Sequence, residues 1–164
     1  GEIVSCDVYP HKTELIAAGA KRLGLTNITA LCRDATQEKP EWENFFDAVL
    51  ADVPCSGLGI IRKKPDIRYK SPKELAQLPL IQRAILENAA SYVRPGGTLV
   101  YSTCTVLPEE NEDVTGDFLD QHPEFEPVRT VFPLPVGPCP GQVTLWPQRH
   151  GTDGFYICRM RRKD

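Results

Sequence analysis

No apolar run in this chain approaches the roughly 18 residues that a membrane-spanning helix requires. The opening Gly-Glu-Ile-Val carries no basic leader, so no signal peptide is expected and the cytoplasm is the expected location. That opening is abrupt: a strand-like run begins at once, where a native terminus usually carries a few loosely ordered residues. The six cysteines form no C-x-x-C pair, and His11, His122 and His150 are scattered, so no metal site is expected. Without a secretory signal a disulfide framework is not expected either. Internal repeats, low-complexity tracts and a composition break that would mark a second domain are all lacking.

What is there suits one domain with a real core. The chain has 164 residues, 41% hydrophobic and 25% charged. A net charge of -3 argues against nucleic-acid binding by the whole surface. The charge is unevenly placed, however. Arg62, Lys63, Lys64, Arg68 and Lys70 stand against one acid, Asp66, within a single connection. That cluster is a candidate for phosphate contact, or it is a solvated face. Arg159, Arg161, Arg162 and Lys163 form a second basic group with the same two readings. Cys6, Cys32 and Cys158 sit inside apolar runs and are expected to be small core residues.

Strands are predicted at 2–6 (ending at Asp7), 27–32, 47–52 and 98–102, with another at 125–131 and a last one at 154–160. A helix is predicted from about His11 to Leu23, with Leu15, Ile16, Gly19, Ala20 and Leu23 on one face and Gly24 as its stop. Ser71-Pro72-Lys73-Glu74 reads as a capping box, with a restart at Pro79 and a main helix to about Val93 that Pro95-Gly96-Gly97 ends. Pro108 starts a further helix through Val114 and Phe118. The segment 133–147 holds five prolines and two glycines and reads as an ordered loop. Strands that are near-continuous apolar runs, alternating with helices, indicate an α/β sheet that is mostly parallel.

Four predicted strands end in reactive or acidic side chains: Asp7, Asp34 one residue into its turn, Asp52 with Cys55, and Cys104. Open parallel sheets bind ligands outside the carboxyl ends of their strands. Asp7 suits a ribose, or else a helix cap; Asp34 suits a ligand, or else a turn. In Asp52-Val53-Pro54-Cys55-Ser56-Gly57 the proline fixes the turn and Gly57 permits close backbone approach. If the third and fourth strands are neighbours, about 4.8 Å apart, both thiols can face one small substrate. Cys104 lies just before a predicted helix start and is the better nucleophile candidate, although Glu109 and Glu110 oppose that effect if they point back.

The segments Asp-Val-Pro-Cys-Ser-Gly at 52–57, Lys-Pro-Asp-Ile-Arg at 64–68 and Tyr-Ser-Thr-Cys-Thr at 101–105 resemble the signature motifs of RNA cytosine-5 methyltransferases. Pro108-Glu109-Glu110-Asn111-Glu112 and His150-Gly151-Thr152-Asp153-Gly154-Phe155 extend the likeness toward the bacterial branch that acts on 16S ribosomal RNA. The resemblance runs over essentially the whole chain. It implies a Rossmann-like methyltransferase sheet whose last strand is antiparallel, and S-adenosylmethionine as cofactor. Asp7 is then expected to hold its ribose, Asp34 to lie near its adenine, and Asp52 to lie between its methionine end and the target base. Cys104 is expected to be the nucleophile and Cys55 to assist breakdown of the covalent intermediate. Arg62, Lys63, Lys64 and Arg68 are expected to meet ribosomal RNA.

The family's first strand and glycine-rich cofactor loop would precede Gly1. On this reading residues 1–164 are a single partial catalytic domain, expected to bind cofactor weakly and to be inactive alone. The rival from another class is a non-catalytic RNA-binding module that uses 62–70; it leaves the paired cysteines without a purpose. An amino-group methyltransferase would carry an Asn/Asp-Pro-Pro-aromatic turn in place of Asp52-Val53-Pro54-Cys55. A cysteine hydrolase lacks a convincing histidine partner.

Overall fold

The computed structural model describes residues 1–164 except for the side chain of Pro72. Backbone contacts divide the chain into two compact units, Gly1–Glu38 and Lys39–Asp164.

The first unit is a β-α-β arrangement of β1 (Ile3–Asp7), α1 (Pro10–Arg22) and β2 (Ile28–Cys32). The two strands pair in parallel from Ile3↔Ile28 to Asp7↔Cys32. Pro10 sits in the first helical turn, where its missing N–H costs nothing. Gly24, at φ 68°, lets the chain leave the helix. Two expectations fail here. Cys6 and Cys32 are exposed, and so are Leu15 and Leu23 of the expected buried face; only Ala20 of α1 is buried. A two-stranded unit this short cannot enclose both faces of its strands and the whole stripe of its helix.

The second unit comprises β3 (Phe46–Asp52), α2 (Pro72–Leu75), α3 (Leu78–Tyr92), β4 (Val93–Thr103), α4 (Glu112–Gln121), β5 (Phe125–Pro127), β6 (Thr130–Val131), β7 (Pro138–Cys139), β8 (Gln142–Leu145), α5 (Pro147–His150) and β9 (Phe155–Arg162). Its sheet runs β3-β4-β9-β5, with β8 also on β9. β3 and β4 are parallel, joined by the α3 crossover; β9 is antiparallel to β4, as the resemblance implied. The α/β, Rossmann-like expectation is therefore met. Leu86, Ala89 and Ala90 of α3 pack with Leu99 and Tyr101 of β4, Val114 and Phe118 of α4, and Tyr156, Cys158 and Met160 of β9. Cys158 is a core thiol, as expected.

Several local expectations are corrected. Pro95-Gly96-Gly97 does not separate α3 from β4: α3 ends at Tyr92 and β4 begins at Val93. The register passes from Phe46↔Val93 to Ala48↔Thr98, so the extra residues bulge out, with Gly96 at φ 73°. Proline and a positive-φ glycine are tolerated in a strand at such a bulge. The helix from Pro108 is interrupted. A 3-10 turn over Pro108–Glu110 is followed by Asn111 at φ −117° and ψ −96°, and only then by α4. At 71–74 the Ser71 hydroxyl accepts the Lys73 N–H, while Glu74 N–H goes to the Ser71 carbonyl, giving a single turn and no capping box. The restart at Pro79 is observed, in the first turn of α3. The stretch 125–131 splits into β5 and β6, and 133–147 contains β7 and β8. β8 does alternate polar and apolar residues, but its four residues are the shortest run that such alternation can mark, and they stand among prolines that read as loop.

Candidate active site

Parallel pairing of β3 with β4 sets Asp52 opposite Ser102, and the Ser102 hydroxyl donates to Asp52 Oδ1 at 3.0 Å. The two chains therefore leave the sheet side by side. Pro54 and Gly57 shape the first turn. Gly57 is left-handed at φ 78°, and a Cβ there would stand 3.0 Å from Ile67 Cδ1. The result is a sulfur pair: Cys55 Sγ lies 3.2 Å from Cys104 Sγ, both half-buried.

The two thiols do not share the proton equally. The contact with the Cys55 side chain brings the Cys104 thiol down to about 7, helped by its own backbone N–H and the Lys64 charge. Burial and the Asp52 charge work the other way. Cys55 is pushed well up, first by that same hydrogen bond and then by burial. These directions favour ionisation at Cys104 over Cys55. A thiolate at neutral pH is the nucleophilic form of cysteine.

The basic segment is tied back to the protein. Lys63 and Arg62 both pair with Asp153, the latter at 3.3 Å, and these cations hold the Asp153 carboxyl below the usual range. Lys70 Nζ donates to the Ser56 carbonyl at 2.8 Å, and Arg68 Nε to the Pro65 carbonyl at 3.1 Å. Lys64 and Arg68 are exposed side chains of the same segment. In the second basic group, Arg162 donates to the Val93 carbonyl and Lys163 to that of Pro123, which locks β9 in place.

In the first unit, Asp7 and Asp34 lie at the same end of the β1–β2 pair. Asp7 accepts the Tyr9 N–H at 2.9 Å and faces Lys12 at 3.3 Å; both hold its carboxyl below the usual range. Tyr9, not Asp7, is the cap residue of α1. Asp34 accepts the Thr36 hydroxyl at 2.7 Å and the Thr36 N–H at 2.9 Å, which depress its pKa and close a turn. Two ionised acceptors at the carboxyl ends of parallel strands have the chemistry that ribose hydroxyls or an exocyclic amine require.

Against known proteins, the model of the family described as 16S rRNA methyltransferase RsmB/F matches residues 1–161. The chain belongs to the RsmB/F family. Among curated relatives, the probable ribosomal RNA small subunit methyltransferase B of Bacillus subtilis (strain 168) is 46% identical over 99% of this chain and 38% of its own length. The chain thus spans well under half of that relative. The crystal structure of PH0851 superposes with a TM-score of 0.89 at 35% identity, over 99% of this chain and 37% of that one. A SAM-dependent O-methyltransferase from Thermotoga maritima shares the fold alone, with a TM-score of 0.58 at 16% identity over 100% of this chain and 51% of the other.

For this RsmB/F chain, residue reasoning missed three contributors. Asp153 anchors the basic segment, while Glu110 and Asn111 grip the cysteine turns. Asp153 and Asn111 stand out in the sequence only within segments that carry the resemblance, and Glu110 beyond that only as a charge opposing Cys104; nothing local in an isolated acid or amide reveals what it will reach after folding.

Proposed function

We propose that the parent of this chain is an S-adenosylmethionine-dependent methyltransferase acting on C5 of a cytosine in small-subunit ribosomal RNA, 16S RNA in bacteria. The observation that carries this reading is the 3.2 Å sulfur pair at the ends of β3 and β4, beside Asp52. Membership of the RsmB/F family supports it. We take both units as parts of one catalytic domain, since the family model spans them.

The chemistry needs these residues. Cytosine C5 is a poor nucleophile. Addition of the Cys104 thiolate to C6 makes C5 enamine-like, turning one difficult step into two easier ones. When bound, S-adenosylmethionine supplies an electrophilic methyl group to C5; Asp7 and Asp34 are the residues assigned to its ribose and adenine. Asp52 is assigned to the pyrimidine edge, where a carboxyl group stabilises developing charge. Once Cys104 is bonded to carbon it no longer accepts the Cys55 hydrogen bond, the main cause of the raised Cys55 pKa. Cys55 can then give its proton to solvent and, as thiolate, take up the C5 proton, after which the C5–H electron pair restores the C5–C6 double bond and Cys104 departs as thiolate. The base must be unpaired or flipped to reach the site. Lys64 and Arg68 are assigned to RNA phosphate. Arg62 and Lys63 are assigned to it as well, in competition with Asp153.

Covalent trapping tests the reading. RNA bearing 5-fluorocytosine should form a stable adduct with the full-length protein, because fluorine at C5 cannot leave as a proton. Cys104→Ala should abolish the adduct. Trapping that persists in Cys104→Ala and vanishes in Cys55→Ala would reverse the two roles. RNA binding unaffected by Cys104→Ala, with no adduct from the wild type, would favour a non-catalytic RNA-binding module.

A further inference from the structure

The two cysteine turns are not held by one another alone. Each is gripped through the residues on either side of its cysteine, and both grips come from two consecutive residues at the break before α4. Around Cys104, the Asn111 side chain accepts from the Thr103 hydroxyl at 2.6 Å and donates to the Thr105 carbonyl at 3.1 Å. Around Cys55, Glu110 Oε2 accepts the Ser56 N–H at 2.9 Å and the Gln82 amide at 2.8 Å; that same Gln82 amide donates to the Pro54 carbonyl at 3.0 Å. The turns are joined by the Ser56 and Thr105 hydroxyls, 2.7 Å apart.

All of these groups are buried. Asn111, Gln82, Thr103, Thr105 and Ser56 are fully enclosed and Glu110 is 2% exposed. Among the described residues, Glu110 Oε1 has no hydrogen-bond partner, so both bonds fall on the other oxygen. A buried carboxyl oxygen left without a hydrogen bond is costly to keep in a fold. Its backbone is fixed in turn by Tyr101, whose hydroxyl donates to the Glu110 carbonyl at 2.6 Å. The odd backbone of Asn111, at φ −117° and ψ −96°, separates the 3-10 turn from α4.

We propose that Glu110 and Asn111 are positioning residues that set the distance between the two sulfurs and so tune the reactivity of Cys104. The inference rests on the reading of Cys104 as nucleophile and adds the device that prepares it. A hydrogen bond between two sulfurs weakens steeply as they part. A shift of a few tenths of an ångström in either turn therefore reaches the thiolate directly. Glu110 governs the Cys55 turn and Asn111 the Cys104 turn. Because the two are adjacent in sequence, one short segment registers both.

The test is the pH dependence of Cys104 alkylation by iodoacetamide in the full-length protein, resolved by mass spectrometry. The wild type should show a midpoint near 7. Asn111→Ala and Glu110→Ala should move it up by about one unit or more, toward the ordinary free-thiol value of about 8.5. Glu110→Gln, which keeps an acceptor for the Ser56 N–H, should restore most of the shift. Should the alanine variants fail to fold, Thr103→Val removes one Asn111 contact at nearly constant volume and should shift the midpoint the same way. Folded variants that keep the wild-type midpoint would overturn the inference. Alkylation needs neither RNA nor methyl donor, so a wild type that fails to trap 5-fluorocytosine RNA would sink the proposed function without touching this result.

Discussion

Gly154 donates its N–H to the Gly59 carbonyl at 2.8 Å, and Gly59 in turn donates to the Cys104 carbonyl at 3.0 Å. The approach leaves no room for a side chain. A Cβ on Gly59 would stand 2.0 Å from the Gly154 oxygen and 2.8 Å from that of Cys104. Three segments meet there: the end of the Cys55 turn, the Cys104 turn and the turn before β9. Gly59→Ala must therefore move backbone, not merely a flexible side chain. We expect a loss of about 1–3 kcal/mol, the usual range for overpacking a filled site. Chemical denaturation of wild type and variant measures it, and an unchanged midpoint would show that the contact relaxes freely.

The sulfur pair makes a pH-dependent reagent. A Cys104 pKa lowered to about 7 means that the thiolate is present above that pH and lost below it. Alkylation and methyl transfer should both rise with pH through about 7. The sign for stability is the same: a depressed acid contributes stability above its unfolded value, and that contribution is lost as pH falls through the folded value. Cys55→Ala removes the main cause of the depression, so the Cys104 midpoint should rise. Stopped alkylation from roughly one and a half units below the midpoint to about two and a half units above it reads the shift. A midpoint indifferent to Cys55 would assign the effect to the backbone N–H and Lys64 instead.

The cations at 62–68 should contribute unequally to RNA binding. Arg62 and Lys63 face Asp153, so removing either exchanges one partner for another. Lys64→Ala and Arg68→Ala should each flatten the salt dependence of affinity by about one unit of slope, and Arg62→Ala and Lys63→Ala by less. Filter binding at several salt concentrations distinguishes them. Equal slopes for all four variants would mean that the Asp153 pairs open at no cost when RNA arrives.

The crossover helix carries the sheet. Leu86 on α3 is fully buried in the cluster with Leu99, Val114 and Phe118. Leu86→Ala should cost about 2–5 kcal/mol. A smaller loss in equilibrium unfolding would show that α3 and α4 close over the cavity.

The sequence by itself determined the elements that depend on local chemistry. Buried strands announced themselves as apolar runs, Pro79 marked a helix start, and Asp-Val-Pro-Cys-Ser-Gly and Ser-Thr-Cys marked the two cysteine turns. Pairing across distance was a different matter. Only the tertiary structure decided that Cys55 and Cys104 stand 3.2 Å apart, since that distance depends on the β3–β4 register and on Glu110 and Asn111 behind it. It also decided that Lys63 meets Asp153, and that the proline-rich stretch contributes β8 to the sheet. The exposure of Cys6 and Cys32 lay equally beyond reach, because an apolar run fixes which residues avoid water only when something covers them. Propensity and turn chemistry act within a few residues; hydrogen bonds between buried side chains form only after the backbone has brought distant segments together.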